Sequence, residues 1–331
     1  MSMNVEKKRW EYLDALRGLA IILVVAGHLM MRLGISDAEN VLWSFIISVH
    51  LPLFFFISGY VGNGALLKKV RQLLVPGLLF FVLFRLARNN NPISFVQYGF
   101  QEYWFTLVLF EMFFINYVCE KVGGKYKYLM MVCLSLVGVA YLAIPSIRGS
   151  RIDVILCIEN LAKYFQFFTL GMLCKIYSST ILEWLRKDFT KGGLLVMYVV
   201  SFFLCFNNEF STQYPLLYKL NHDLVLRYVG VLVLFAFFIY QSDFFKTSRG
   251  LISRTLTFIG QRTLDIYLIH NFLLPAQMLL PESLRSNEMW YVQSSLLLFL
   301  SLLIVGGCLL FSELIRMSPT LSSFLLGTRR R

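Results

Sequence analysis

The sequence predicts an all-α fold, a polytopic transmembrane bundle of about ten spans, and three observations predict it. The chain has 331 residues, of which 57% are hydrophobic, and its mean hydropathy is +0.66. Only 15% of the residues are charged, against about 25% in a soluble domain. So few charges cannot dress a water-facing surface of this size, so membrane lipid must cover much of it. Apolar stretches near the roughly 20 residues needed to cross a bilayer recur along the chain, separated by short basic runs. Those runs account for the net charge of +12 as membrane-flanking loops and argue against a nucleic-acid partner.

The first span, Tyr12–Met31, follows Lys7, Lys8 and Arg9. It carries Asp14 and Arg17 and lacks a small-residue cleavage site, so it is expected to remain as a helix and not to be removed as a signal peptide. The second, Val41–Val61, contains His50-Leu51-Pro52. Pro52 lacks a backbone donor and is expected to break the helix there, which is tolerated where a helix lines a polar cavity. Val70–Ala87, Trp104–Cys119, Tyr128–Ile144 and Ile152–Leu173 come next, then Gly192–Phe206, Leu224–Tyr240, Ile252–Leu273 and Trp290–Phe311. No fixed-period repeat, long linker or soluble segment interrupts them, so residues 1–331 read as one membrane-embedded domain. The six cysteines lie mostly in apolar stretches without metal-type spacing; they read as packing residues, and no metal is expected.

Basic residues orient the chain. With the N-terminus in the cytoplasm, the inner loops hold Lys7, Lys8, Arg9, Lys68, Lys69, Arg71, Lys121, Lys125, Lys127, Lys175, Arg186, Lys187, Lys191, Lys246, Arg249, Arg254, Arg316 and Arg329 to Arg331. The outer loops hold only Arg32, Arg88, Arg148, Arg151, Lys219 and Arg285. Both termini are therefore expected inside.

Charges within spans are costly, which makes each a functional candidate. In the first span Asp14, Arg17, Ile21, Val24 and His28 follow steps of three and four and share one face. Arg17 and His28 are separated by about 16 Å of helical rise. A plainer reading makes Asp14 and Arg17 an ion pair at the helix start and leaves His28 near the interface. His50 lies at the expected break. Glu111, Glu159, Asn160, Lys163, Gln166, Gln261, Arg262 and Asp265 fall at intermediate depths of other spans, and His270 lies near the outer end of its own. Arg262 and Asp265 suit an i,i+3 ion pair. So many polar groups imply a polar cavity inside the bundle.

The run Tyr12-Leu13-Asp14-Ala15-Leu16-Arg17-Gly18-Leu19-Ala20-Ile21, followed by His28, resembles the opening helix of the acyltransferase-3 family of integral membrane acyltransferases. That family's signature is an arginine, ten intervening residues and a histidine, which Arg17 and His28 match. The resemblance continues through His50-Leu51-Pro52-Leu53-Phe54-Phe55-Phe56-Ile57-Ser58-Gly59-Tyr60, a basic stretch before Leu74-Val75-Pro76, Trp104-Phe105, Phe168-Thr169-Leu170-Gly171-Met172-Leu173 and Tyr267-Leu268-Ile269-His270. It covers nearly the whole chain and looks most like the fucose 4-O-acetylase-like subgroup. Two positions depart from it. Lys68-x-x-Arg71 stands where the family often has two arginines, which keeps charge but loses a bidentate grip, and Leu51 stands where the subgroup usually has methionine.

The resemblance implies an O-acyltransferase of the bacterial inner membrane that moves acetyl from acetyl-CoA to a hydroxyl of a carbohydrate or lipid-linked sugar. Arg17, with Lys68, Lys69 and Arg71, is expected to hold the donor's phosphates. His28 is expected to act as general base on the acceptor, with an acyl-histidine as the alternative. Asp14, His50 and Glu111 join the catalytic candidates, with Glu111, Glu159 or Asp265 as the possible orienting carboxylate. Ser58, Tyr60, Trp104, Glu159, Asp265, Tyr267 and His270 are candidate cavity residues. A glycan or lipid transporter is the competing reading, since carriers also place charges at mid-membrane; a non-catalytic scaffold is a third.

Overall fold

The structure, a computed structural model, describes residues 10–35, 40–62, 65–88, 100, 102–144, 148–247, 250–275 and 290–328. Lys7, Lys8, Arg9, Arg249, Arg285 and Arg329 to Arg331, used above to orient the chain, lie outside the described residues. The described residues form helices and connections, with no strand among them. Twelve helices organise the bundle: α1 (Glu11–Leu33), α2 (Val41–Val61), α3 (Leu66–Ala87), α4 (Trp104–Gly123), α5 (Lys127–Ala143), α6 (Ile158–Ile176), α7 (Ser178–Arg186), α8 (Asp188–Leu204), α9 (Leu226–Tyr240), α10 (Leu251–Gln261), α11 (Thr263–Leu273) and α12 (Trp290–Arg316).

Six helical stretches among the described residues are long and apolar enough to cross a membrane: Glu11–Leu33, Val41–Val61, Leu66–Ala87, Trp104–Ala143, Pro215–Tyr240 and Tyr291–Arg316. Trp104–Ala143 runs through two of the expected spans, α4 and α5, which join at a 3₁₀ turn over Gly124–Tyr126 and pack on each other. Gly124 takes φ +48° there, a backbone conformation that costs glycine little. α8 has 17 residues, and α6 carries Glu159, Lys163 and Lys175. Leu83, Leu136, Val196, Phe203, Phe299 and Leu310 are exposed on the outside of the bundle, an apolar girdle suited to lipid.

α1 is the axis of the fold. Its most apolar window is 83% buried, against 11% for that of Trp104–Ala143, and it packs on α2, α9, α10, α11 and α12. Glycines set the tightest crossings. A Cβ on Gly18 would collide with the Leu256 carbonyl of α10, and one on Gly260 with the Asp14 carbonyl of α1. The α2–α6 crossing repeats the device with Gly59 against the Phe168 carbonyl and Gly171 against the Phe56 carbonyl. Small residues at both contacts let the backbones approach closely.

Four expectations about helix continuity or pairing are corrected. α2 runs unbroken through Pro52; Pro52 and its neighbours Leu53, Phe55 and Phe56 are buried in the core, and that packing holds the helix together despite the missing donor. The expected span Ile252–Leu273 is instead two helices, with Arg262 between them at φ −113°. Arg262 and Asp265 do not pair with each other. Arg262 reaches Glu313 at 2.8 Å and Asp265 holds Arg316 at 2.6 Å, so both ties run from the α10–α11 junction to α12. The sixth expected span also starts later, after Cys157 at φ 50°, behind a short capped helix, Arg151–Ile155.

A π-turn occupies Val70–Leu74 in α3, where the Val75 N–H donates to the Val70 carbonyl five residues back. Pro76 explains its place, because it offers no N–H to the Gln72 carbonyl four residues earlier. Such wide turns re-aim side chains, here beside the cavity described next.

Candidate active site

The polar stripe of α1 faces inward. Arg17, Ile21, Val24 and His28 line a deep chamber of about 180 Å³. Asp14 and Arg17 line a vestibule of about 650 Å³. The two spaces share Arg17, Ser58, Leu73 and Leu109, so they adjoin across these four residues. The vestibule lies where α1 and α3 begin and α2 and α6 end.

The vestibule is cationic. Arg17 Nη1 stands 3.4 Å from Asp14 Oδ1, the ion pair expected from their spacing. Of the basic trio expected on α3, Lys69 alone lines this space, with Nζ 3.9 Å from the Phe113 ring centroid. Lys68 is exposed, and the Arg71 guanidinium donates to Ser323 Oγ in a short helix, Pro319–Leu325. Helical geometry separates them, since Lys69, Gln72 and Leu73 share a face that Lys68 and Arg71 do not. Lys175 was read from sequence only as an orienting charge. It lines the vestibule with its Nζ 3.8 Å from the Trp10 ring centroid and 5.4 Å from that of Tyr60. Lys69 and Lys175 also line an adjoining cavity of about 640 Å³, together with Tyr60, Lys121 and Lys127.

The chamber is mostly apolar, walled by Ile21, Val24, Leu51, Phe54, Phe105 and Leu264. Its polar groups include His28, Ser58, Glu102, Thr263 and Tyr267. The Tyr267 hydroxyl donates to the Glu102 carbonyl at 3.2 Å. One hydrogen-bond partner of His28 is another imidazole, with His270 Nε2 3.3 Å from His28 Nδ1. The carboxylates considered as its orienting group are engaged elsewhere or stand apart. Asp265 is bonded to Arg316 at 2.6 Å and to Ser312, and Glu159 sits 3.4 Å from Arg148. Glu111 lines neither chamber nor vestibule, and its Oε2 is buried without a hydrogen-bond partner. His50 also lines neither space; its Nδ1 bonds the Ile46 carbonyl one turn back.

Glu102, which sequence reasoning passed over, is the acidic residue among those lining the chamber. It sits in the connection before α4, 3.9 Å from Arg85 Nη2. Its position outside any span hid it from a search for intramembrane charges. At the end of the chamber away from the vestibule stands Trp104. Its ring stacks on Tyr164 with centroids 5.9 Å apart, and it also lines a cavity of about 230 Å³ with Phe100, Asp153, Glu159 and Asn160. Trp104 is thus the wall between the chamber and a cavity at the opposite end of the bundle.

Chemically, the arrangement offers a wide basic mouth, a narrow apolar neck and an imidazole at the far end. Among the described residues no three His, Cys, Asp or Glu side chains converge as metal ligands.

The family model described as "Acyltransferase domain", that of the acyltransferase-3 family, matches residues 10–313. The chain is 27% identical over 194 residues to "Nodulation protein NolL" of Sinorhizobium fredii, covering 51% of this chain and 49% of that protein. It is 26% identical over 185 residues to "Nodulation protein NolL" of Mesorhizobium japonicum, covering 48% and 46%. The chain thus spans about half the length of the curated relatives it matches. No solved structure is significantly similar to it.

Proposed function

Because the chain belongs to the acyltransferase-3 family, we propose that it is a membrane O-acyltransferase moving acetyl from cytoplasmic acetyl-CoA to a hydroxyl of a cell-envelope carbohydrate. One observation carries the reading: Arg17 and His28 line the same chamber, and Arg17 also lines the adjoining vestibule. Acyl-CoA has an anionic nucleotide, a long neutral arm and a thioester at its tip. The vestibule and its neighbour, each near 650 Å³, are of the size that takes drug-sized ligands. Arg17, Lys69 and Lys175, with Lys121 and Lys127 beyond them, supply the positive field. Lys69 thereby keeps its expected place beside Arg17 in this role, and Lys175 takes that of Lys68 and Arg71.

The chamber holds roughly six waters' worth of matter, enough for an acetyl thioester and one hydroxyl of the acceptor, with the rest of the sugar outside. His28 takes the hydroxyl proton as the oxygen bonds to the thioester carbon. When the carbon–sulfur bond breaks, His28 returns that proton to the departing thiolate. Glu102 accepts a hydrogen bond from a neighbouring acceptor hydroxyl. The apolar wall excludes water, which keeps the acetyl group from hydrolysis and strengthens each polar contact. Trp104 suits a sugar arriving from the other side, since its ring face can pack on the apolar face of a pyranose.

In this reading the chain crosses the bacterial inner membrane ten times as one domain, both termini cytoplasmic. α10 and α11 together make the ninth crossing, and the acceptor approaches from the outer side. The test uses purified protein in nanodiscs, labelled acetyl-CoA and envelope glycan extracted from a strain lacking the gene. Labelled ester on the glycan with equimolar free CoA thiol is expected. A carrier would need two compartments and would form no ester, and that result would overturn the proposal.

A further inference from the structure

His270 is fully buried and does not line the chamber, yet it is bonded to His28. Its Nδ1 lies 2.6 Å from the Tyr267 carbonyl and 3.2 Å from the Ile266 carbonyl of its own helix. A carbonyl oxygen only accepts, so the proton of a neutral His270 sits on Nδ1 and the lone pair on Nε2. Its hydrogen-bond partners are those carbonyls and His28, none of them a carboxylate that would favour an imidazolium. The two rings meet at 61° with centroids 5.0 Å apart, an edge-on approach that directs nitrogen at nitrogen. Because Nε2 of His270 can only accept, Nδ1 of His28 must donate.

We propose that His270 is a positioning residue that fixes the tautomer of His28: its Nδ1–H is committed to the Tyr267 and Ile266 carbonyls, its Nε2 takes the His28 Nδ1–H, and His28 is left with its lone pair at Nε2. This rests on His28 being the base. The proton inventory then balances through one reaction cycle. Nε2 of His28 takes the acceptor proton as the C–O bond forms and returns it to the thiolate as the C–S bond breaks. Nδ1–H stays throughout, and its bond to His270 tightens while His28 is cationic. No proton passes to His270.

The fold holds His270 for this task. α11 is tied to the residues before α4 by three bonds: the Tyr103 hydroxyl donates to the Leu268 carbonyl at 3.1 Å, the Tyr267 hydroxyl to the Glu102 carbonyl at 3.2 Å, and Asn271 Nδ2 to the Glu102 carbonyl at 3.4 Å. The Asn271 side chain is the other polar neighbour of His28. Its nitrogen spends one N–H on the Glu102 carbonyl and keeps a second, so the amide can meet the imidazole as a donor or with its acceptor oxygen. A proton at Nε2 held by Asn271 is therefore the rival arrangement.

The experiment labels the histidines with ¹⁵N and reads their nitrogens by solid-state NMR in nanodiscs, assigning His28 by difference against His28→Gln. Expected are a protonated Nδ1 and a bare Nε2 on His28, with a through-space contact to His270 Nε2. A proton on Nε2 of His28 overturns the proposal. Kinetics give a second arm. His270→Leu is expected to lower kcat about 10²-fold or more, toward the roughly 10⁴-fold cost of a wrong tautomer in a catalytic triad, with KM for acetyl-CoA unchanged. His270→Gln, whose amide oxygen can accept near the Nε2 position, is expected to recover most of that loss. Wild-type kcat in folded His270→Leu overturns the assignment of His270 while leaving His28 as base. Full activity in folded His28→Ala removes the base itself. If the leucine variant does not fold, the NMR of the unsubstituted protein decides.

Discussion

The vestibule and the chamber meet at Arg17, Ser58, Leu73 and Leu109, and they are built of opposite materials. The vestibule gathers Arg17, Lys69 and Lys175 around a space of about 650 Å³, with Asp14 as its carboxylate. The chamber is a third of that size or less, about 180 Å³, walled by aliphatic and aromatic side chains, with His28 on its wall and the buried His270 bonded behind it. Charge acts over a distance and tolerates imprecise geometry, which suits recruiting a flexible anionic donor. Proton transfer needs heavy atoms within about 3 Å and little competing water, which suits a narrow dry pocket. In the proposed reading, the difference divides recognition and chemistry along the length of α1, with residue 17 assigned to the first and residue 28 to the second.

The comparison breaks most visibly at the chamber. His28→Ala is expected to lower kcat by about 10²–10⁴-fold with KM for acetyl-CoA nearly unchanged, measured as thiol release by the purified protein. A variant that loses donor affinity instead would merge the two regions into one. Next in size, Arg17→Ala removes a charge-assisted contact worth about 1.5–3 kcal/mol. That corresponds to a rise of roughly 10–100-fold in KM for acetyl-CoA, with kcat falling less; an unaltered KM would detach Arg17 from the donor. Ser58→Leu, at the junction of the two spaces, adds bulk to the neck. It is expected to cut kcat/KM by about 10-fold, an overpacking cost of the usual 1–3 kcal/mol, while binding of CoA without an acyl group persists by calorimetry. The smallest effect separates neighbours on α3 and α6. Lys175→Ala is expected to raise KM a few-fold at low salt, the effect shrinking as ionic strength rises, while Lys68→Ala leaves KM as it was because Lys68 is exposed and does not line the vestibule.

Legibility in the sequence follows the range of the interaction. α2 begins and ends at Val41 and Val61, as the apolar run indicates. The Asp14–Arg17 pair and the shared face of Arg17 and His28 follow from helical periodicity alone. Pro52 misled because its local cost is visible in sequence and the packing that offsets it is not. Lys68 and Arg71 misled for a related reason: charge can be counted along a chain, but the face it occupies depends on the phase of the helix and on which neighbour covers it. Glu102 and Lys175 carried no local signal. One sits before a helix and the other in a basic helix end, and only the packing of other helices placed them at the two adjoining spaces.

The sequence by itself determined that this chain is helical and lipid-embedded in composition, that α1 bears a carboxylate, a guanidinium and an imidazole on one stripe, and that the family signature is present. These properties depend on residues within a few turns of each other. The tertiary structure alone decided that the stripe faces a cavity, that Trp104 closes its far end, and that His28 meets His270 across 242 residues of chain. That meeting depends on α11 lying against α1. The turn at Arg262 and the glycine contact between Gly18 and Gly260 set it there through backbone approach, which no side-chain pattern along the chain encodes.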